Sequence, residues 1–268
     1  MNETGILWAK HTWNPWSGCT EITEGCKFCY AKTLSENKRG TAAFPNGFDL
    51  TYRWHKLIEP RKIKAPSLIF VNSMSDMFWD QIQFADIDRV MDMIEEVSRH
   101  EYIVLTKRID RALEYSRHRK LPRNIWLGPT IENGRVGFDR IATLKKIDAE
   151  IKIISAEPLL GPLRLDFGGI DWVITGGESG THLFDAKWRD LRGLVNYSNR
   201  VWSVRQERAP WVSEIRDRVK AAAGSFFHKQ WGGATSHSAG RLLDGIEWNE
   251  FPRLPGGTSA SLNPRLMP

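Results

Sequence analysis

Short apolar stretches typical of β-strands alternate with amphipathic helices along most of this chain. Each stretch is apolar throughout rather than alternately apolar and polar, which is typical of strands buried on both faces of a parallel sheet. Six of them lie at residues 67–71, 102–105, 124–127, 151–154, 172–175 and 225–228. Because parallel strands need crossover connections, the alternation predicts an α/β fold with a parallel (βα) barrel or a partial TIM-like barrel.

The clearest crossover helix is predicted over residues 85–99. Its apolar residues recur at three- and four-residue spacing, which places them on one helical face. They are Ile87, Val90, Met91, Ile94 and Val97. Two further helices are expected, one ending at residue 115 and one over 137–147, whereas a strand-like run at 201–204 has no evident place in this pattern.

The chain is expected to form one large domain with a tail. Residues 1–231 would make up the barrel, since all the predicted strands and helices fall within them. Residues 232–268 are rich in Gly, Ser and Pro, so we expect them to form a loop-rich C-terminal extension with a flexible end.

All three cysteines of the chain lie close together, at Cys19, Cys26 and Cys29. Cysteines used as small core residues would be scattered, and three cannot all pair as disulfides. Three thiolates in a loop at residues 18–30 can hold one metal centre and leave a coordination position open, as a catalytic centre requires. This pattern favours an iron–sulfur cluster in a metalloenzyme.

Zinc is the alternative metal for the same cysteines, with His11 or His55 as a fourth ligand. In that case the chain would be a zinc-dependent nucleic-acid-binding protein or an accessory protein without radical chemistry. The net charge of +6 and the basic segment 115–123 make a nucleic acid a candidate partner in either case.

No membrane or export segment is expected. No apolar run approaches the about 20 residues that span a bilayer. The first residues also lack a basic start followed by an apolar core. Because free cysteines are typical of a reducing compartment, the sequence predicts a cytoplasmic protein.

Polar and charged residues follow most of the predicted strands. They are Asp76, Lys107, Glu132, Asn133, Glu157, Glu178 and Lys229. Because the carboxyl ends of the strands form the active face of a (βα) barrel, these side chains are candidates for one binding site. Turns and helix caps also use these residue types. Lys107, after the strand at 102–105, and Glu157, after the strand at 151–154, are candidate residues for binding a cofactor.

Several longer motifs resemble those of a known family. They are residues 12–19 (TWNPWSGC), 26–31 (CKFCYA), 72–78 (NSMSDMF), 105–108 (LTKR), 124–128 (NIWLG), 155–162 (SAEPLLGP), 171–180 (DWVITGGESG), 229–233 (KQWGG) and 240–245 (GRLLDG). Three clustered cysteines after the first strand of a parallel barrel resemble the radical S-adenosylmethionine (radical SAM) superfamily. The whole series resembles the phage-derived three-cysteine family of radical-SAM-like proteins, whose function is uncharacterised.

The resemblance implies a [4Fe-4S] cluster on Cys19, Cys26 and Cys29, with S-adenosylmethionine bound to the open iron. It also implies reductive cleavage of that cofactor to a 5′-deoxyadenosyl radical, which abstracts a hydrogen atom from the substrate. The electron would come from a donor such as flavodoxin or ferredoxin. A nucleic-acid base or a nucleotide is the expected substrate.

Four residues are expected to contact S-adenosylmethionine because they resemble positions in the superfamily. Phe28 stands between two cysteines, where the superfamily prefers an aromatic residue near the adenine. Gly176, Gly177 and Glu178 resemble its Gly-Gly-Glu element. Two departures from the superfamily pattern are a longer gap between the first two cysteines and the late position of Gly-Gly-Glu, after the fifth predicted strand.

Overall fold

The computed structural model describes Met1 and residues 3–253, which form two compact units. The first unit contains residues 1–129 and 143–151, and the second contains residues 130–142 and 152–253. The expected extension at 232–268 begins inside the second unit, and its predicted flexible end falls on residues outside the described part of the chain.

The first unit holds the N-terminal strands and helices. They are β1 (His11–Trp13), β2 (Trp16–Ser17), α1 (Tyr30–Asn37), β3 (Thr51–Tyr52), β4 (Leu68–Val71), α2 (Phe84–Glu96), β5 (Glu101–Thr106), α3 (Ile109–His118) and β6 (Ile125–Pro129). Strands β2 and β3 form a short antiparallel pair. Strand β2 precedes the cysteine segment, and β3 follows it.

The remaining elements have most of their residues in the second unit. They are α4 (Gly134–Leu144), β7 (Ile151–Ala156), β8 (Trp172–Gly176), α5 (Ala186–Arg192), β9 (Val195–Ser198), β10 (Val201–Val204), α6 (Ala209–Ala221) and β11 (Ser225–Gln230).

Seven parallel strands form one sheet, in the order β1-β4-β5-β6-β7-β8-β11. Helices separate most of these strands along the chain, as crossover connections in a parallel sheet require. Every residue of β6 and β8 is buried, which agrees with their unbroken apolar sequences. The predicted α/β fold, a partial TIM-like barrel, is therefore confirmed.

The helices agree with the sequence pattern but differ at their ends. The apolar residues of α2 are buried as predicted, and the helix ends at Glu96 because Val97 leaves helical geometry. Helix α4 begins at Gly134 rather than at residue 137, since the side chain of Asn133 accepts a hydrogen bond from the amide of Arg135 at 3.1 Å. No helix among the described residues is long and apolar enough to cross a membrane.

The unplaced run at 201–204 is the second strand of a β-hairpin. Strands β9 and β10 pair antiparallel, with Ser198 opposite Val201. The two residues between them, Asn199 and Arg200, have φ angles of 50° and 63°. Positive φ at both positions is the geometry of a type I′ turn, which fits the right-handed twist of paired strands.

Part of the C-terminal extension covers the edge strand β11. Asn249 forms an antiparallel bridge with Phe227, and the backbone amide of His228 donates to the carbonyl of Trp248 at 3.0 Å. The indole of Trp172 donates to the carbonyl of Glu250 at 2.8 Å. The backbone contacts of β11 with this segment satisfy groups that an exposed edge would offer to another chain.

His228 is a buried ionisable residue in β11. Its side chain is fully buried, and its Nδ1 atom lies 2.9 Å from the hydroxyl of Thr175. Burial, with a smaller contribution from the nearby positive charge of Arg241, lowers the pKa of His228 to about 3. The folded protein therefore holds this imidazole in its neutral form.

We expect His228 to make the protein sensitive to acid. Because its pKa is lower in the folded than in the unfolded chain, the unfolded chain binds more protons between pH 6.5 and 3. The free energy of unfolding should fall by about 2 kcal/mol between pH 6.5 and 5, at about 1.4 kcal/mol for each pH unit. Urea unfolding at several pH values measures this change in the free energy of unfolding.

The matched control is His228→Gln, which removes the titrating group but keeps a polar side chain. Subtracting its pH profile from that of the wild type removes the contribution of every other titrating group. Parallel profiles for the two proteins would contradict the role of His228.

Candidate metal centre and neighbouring charged residues

The cysteine segment is a loop that a glycine joins to the first unit. Gly18 has a φ of 102°, and a Cβ atom there would lie 2.6 Å from the carbonyl oxygen of Asp49. Its amide donates to the carbonyl of Met74 at 3.1 Å, beyond the end of β4. Only glycine combines this backbone conformation with so close an approach, so Gly18 fixes where the loop begins.

Cys26 and Cys29 lie on one short turn, as their spacing predicted. A 3₁₀ turn spans Glu24–Cys26, and the amide of Cys29 donates to the carbonyl of Cys26 at 3.2 Å. Helix α1 then begins at Tyr30. The two cysteines therefore share the approach to the N-terminus of α1.

All three thiols are unpaired and half-buried. Burial raises the pKa of the Cys19 thiol to about 11; the nearby Asp76 carboxylate adds to the rise, and the Arg108 guanidinium opposes it. A charge on Cys26 would raise this pKa too, so the two sulfurs lie within electrostatic reach of each other. A metal that binds Cys19 must displace its proton.

The donor set fits an iron–sulfur cluster. Three soft thiolates on one loop are the ligands that such clusters use, and each thiolate binds a different iron atom. Within residues 1 and 3–253, no group of three or more His, Cys, Asp or Glu side chains is arranged to hold a single metal ion. The assignment of Cys19, Cys26 and Cys29 as metal ligands stays a prediction.

Asn72 adds an unusual polar group directly after β4. It has a φ of 56°, in the left-handed region that few residues other than glycine and asparagine adopt. Its side-chain amide is buried, and neither its nitrogen nor its oxygen has a hydrogen-bond partner among the described residues. A buried amide without partners is costly, which makes Asn72 a candidate contact for a bound group.

Asp76 and Arg108 form a buried ion pair beside Cys19. The Asp76 carboxylate accepts hydrogen bonds from the amide of Phe78, the hydroxyl of Thr106 and the amide of Lys107, at 3.0, 2.7 and 2.9 Å. Arg108 lies 3.4 Å from the same carboxylate. The candidate residue Lys107 thus contributes its backbone here, and its side chain is half-buried.

Sequence reasoning singled out Asp76 but missed Arg108, which is the second residue after β5. The available signal was the run Thr106-Lys-Arg108, three polar residues at the end of an apolar strand. Phe28, the candidate adenine contact, is half-buried on the loop, with the ammonium of Lys27 6.0 Å from its ring centre.

The Gly-Gly element of the second unit is required by close packing. A Cβ atom on Gly176 would lie 2.3 Å from the carboxylate of Glu157, and one on Gly177 would lie 1.9 Å from the carbonyl of Trp231. Glu157 in turn pairs with the ammonium of Lys229 at 3.2 Å. The structure therefore brings Gly176, Glu157 and Lys229 together.

Glu178 is held by protein partners on both carboxylate oxygens. The guanidinium of Arg192 donates to each oxygen at 2.6 Å, and the ring of His182 lies 3.1 Å away. Glu178 and Arg192 are both buried. This pair attaches the segment that contains α5 to the Gly-Gly-Glu turn, and sequence reasoning missed it because nothing near Arg192 suggests a partner.

A family model matches almost the whole described chain. The family is described as a protein of unknown function (DUF5131), and the match covers residues 3–198 and 202–252. The search of curated proteins finds no match.

Solved structures of spore photoproduct lyase are similar to this chain in fold. One mutant, with bound AdoMet and dinucleoside spore photoproduct, is 12% identical, and the similarity covers 82% of this chain and 76% of that chain at a TM-score of 0.52. Another mutant is 13% identical with the same coverage, at a TM-score of 0.49. The predicted resemblance is thus confirmed for the fold, and a phage origin stays a prediction.

Replacing Glu178 should destabilise the protein. Glu178→Gln removes the negative charge that faces the buried guanidinium of Arg192, and loss of one partner from a buried ion pair costs about 3–5 kcal/mol. Urea unfolding measures the change in the free energy of unfolding.

The control is Glu36→Gln, which removes the same two-bond geometry from an exposed pair with Arg39. We expect a much smaller effect there because water screens an exposed pair. Equal effects in the two variants would show that the Glu178 pair contributes no more than an exposed pair.

Proposed function

The chain belongs to the DUF5131 family of proteins of unknown function, and we propose that it is a radical SAM enzyme that holds a [4Fe-4S] cluster on Cys19, Cys26 and Cys29. The observation that carries the proposal is one loop with three unpaired thiols, directly after the strands β1 and β2. The fold, shared with an AdoMet-bound lyase, supports it.

When bound, the cluster and S-adenosylmethionine supply reductive cleavage to a 5′-deoxyadenosyl radical, which takes a hydrogen atom from the substrate. An external one-electron donor such as flavodoxin or ferredoxin provides the electron. The three cysteines bind the cluster, and Phe28 offers an aromatic face beside them for the adenine.

Glu157 and Lys229 are the charged residues of the second unit best suited to a ligand that carries an ammonium group and a carboxylate. An ammonium group of the ligand would pair with the carboxylate of Glu157, and a carboxylate would pair with the ammonium of Lys229. These side chains lie 3.2 Å apart and are 15% and 23% exposed. Gly176 and Gly177 let Glu157 and Trp231 pack closely against this turn, because side chains there would collide with them. Glu178 would act indirectly, by holding the turn.

A nucleic-acid base or nucleotide is the proposed substrate. The lyase of similar fold binds a dinucleoside, and the net charge of +6 suits a polyanion. The base is the part of the substrate that is proposed to react. It must therefore fit at the carboxyl ends of the strands, where the cysteine loop lies.

The basic segment 115–123 is less suited to hold the substrate than its composition indicated. Arg119 pairs with Asp92 and Glu95 at 2.7 and 2.9 Å, so part of its positive charge is compensated. The segment also precedes β6, whereas the cysteine loop follows β1, so the two lie at opposite ends of parallel strands. We therefore place the reacting base at the strand ends and not at this segment.

Each of the three cysteines should be indispensable for the cluster. Replacing Cys19, Cys26 or Cys29 by Ala should abolish bound iron and sulfide after anaerobic reconstitution, together with dithionite-dependent cleavage of S-adenosylmethionine. Ser should do nearly the same, since an alkoxide is a poor substitute for a thiolate. Iron and sulfide assays and chromatography of 5′-deoxyadenosine measure both effects.

Thr23→Val is the control for the cysteine variants. Its hydroxyl lies 3.7 Å from the Cys26 sulfur, so the change perturbs the same loop without removing a thiolate. A colourless wild-type protein that binds one zinc per chain and takes up no iron and sulfide would favour the zinc alternative and refute the enzyme proposal.

Hydrogen transfer should identify the substrate class. The reconstituted enzyme is incubated with S-adenosylmethionine, dithionite and uniformly deuterated DNA or RNA oligonucleotides. We expect deuterium in 5′-deoxyadenosine by mass spectrometry, because the radical takes its hydrogen from the substrate. Cys26→Ala serves as the inactive control. Cleavage without deuterium transfer from any oligonucleotide would exclude a polynucleotide substrate.

A further inference from the structure

Arg108 is a buried cation in contact with a predicted metal ligand. It is 8% exposed, and its Nη1 atom donates to the Cys19 sulfur at 3.5 Å. Its Nη2 atom donates to the carbonyl and hydroxyl oxygens of Thr20 at 3.2 and 2.9 Å. One guanidinium thus holds both the sulfur and the backbone that follows it.

Asp76 fixes the orientation of this guanidinium. Its carboxylate lies 3.4 Å from Arg108 and is itself anchored by donors from Phe78, Thr106 and Lys107. It is 6% exposed, so its negative charge is poorly screened by water. The Cys19 sulfur therefore lies near two buried charges of opposite sign.

An ion pair that only joined two loops would not need to contact the sulfur. Here the cation donates directly to Cys19 at 3.5 Å and lies 3.4 Å from the carboxylate of Asp76, so both charges are close to the sulfur. Hydrogen bonds and charges at cysteine sulfurs are among the factors that set the reduction potential of an iron–sulfur cluster.

We propose that Arg108 is a positioning residue that raises the reduction potential of the cluster bound through Cys19, and that Asp76 opposes it. This inference rests on the proposed function. Reduction transfers one electron from the external donor to the cluster, and no proton moves. The added negative charge is stabilised by the guanidinium of Arg108 and destabilised by the carboxylate of Asp76.

The test is a redox titration of the reconstituted protein without S-adenosylmethionine, followed by absorbance and electron paramagnetic resonance. Arg108→Gln should lower the equilibrium constant for one-electron reduction about tenfold, which corresponds to about 59 mV. Asp76→Asn should shift the potential in the opposite direction. Arg108→Lys, which keeps the charge, should recover part of the wild-type potential.

Arg111→Gln is the matched control. Arg111 lies in the first turn of α3, three residues after Arg108, which directly precedes that helix. It also donates to loop carbonyls, at Trp79 and, at 2.5 Å, at Ile82, and not to a cysteine sulfur. We expect the reduction potential of the cluster in Arg111→Gln to equal that in the wild type. An equal shift in Arg111→Gln would contradict a specific role for Arg108.

The outcomes separate this inference from the proposed function. If the wild type binds iron and sulfide but Arg108→Gln has the wild-type potential, only the inference is overturned. A wild type that takes up no cluster overturns both. If Arg108→Gln fails to hold a cluster, the reduction potentials of Asp76→Asn and Arg108→Lys test the inference instead. We expect a potential above that of the wild type in Asp76→Asn and one below it in Arg108→Lys. Shifts in the same direction in these two variants contradict the inference.

Discussion

The buried pair of Asp76 and Arg108 is the interaction on which the geometry of the cysteine loop depends. Asp76 follows β4, Arg108 follows β5, and the backbone they hold at Thr20 follows β1 and β2. Charges this deeply buried need partners, so the three loops must fold together. The position of Cys19 is therefore set by protein contacts before any metal binds, and the surrounding core is large enough to fold without one.

Much of the fold could be predicted because its signals are local and periodic. The face of α2 at Ile87, Val90 and Met91 was evident from its spacing, and the apolar runs predicted the strands of the sheet other than β1, which is too short to form such a run. The hairpin at 195–204 could not be predicted with equal ease. Its turn uses Asn199 and Arg200 rather than the usual Asn-Gly, so the strongest hairpin signal is missing.

The candidate site was predictable only where chemistry is concentrated in the sequence. Three clustered cysteines indicate a metal centre by themselves. Which side chains contact each other, in contrast, depends on residues that are far apart in the sequence. Nothing in the sequence shows that Arg108 contacts Cys19, or that Arg192 occupies both oxygens of Glu178. Glu178 was therefore assigned a ligand from its motif, although the structure gives it two protein partners.

The charged pairs of the second unit differ in burial. The more deeply buried pair holds the fold, whereas the more exposed pair can exchange its partner for a ligand. Glu178 and Arg192 are 5% and 4% exposed, so a ligand would have to displace a bidentate pair that water hardly reaches. Glu157 and Lys229 are 15% and 23% exposed and meet through a single contact of 3.2 Å. An ammonium and a carboxylate from one ligand could replace that contact without leaving either charge unpaired. For this reason, the charged site of the second unit is better assigned to Glu157 and Lys229 than to Glu178.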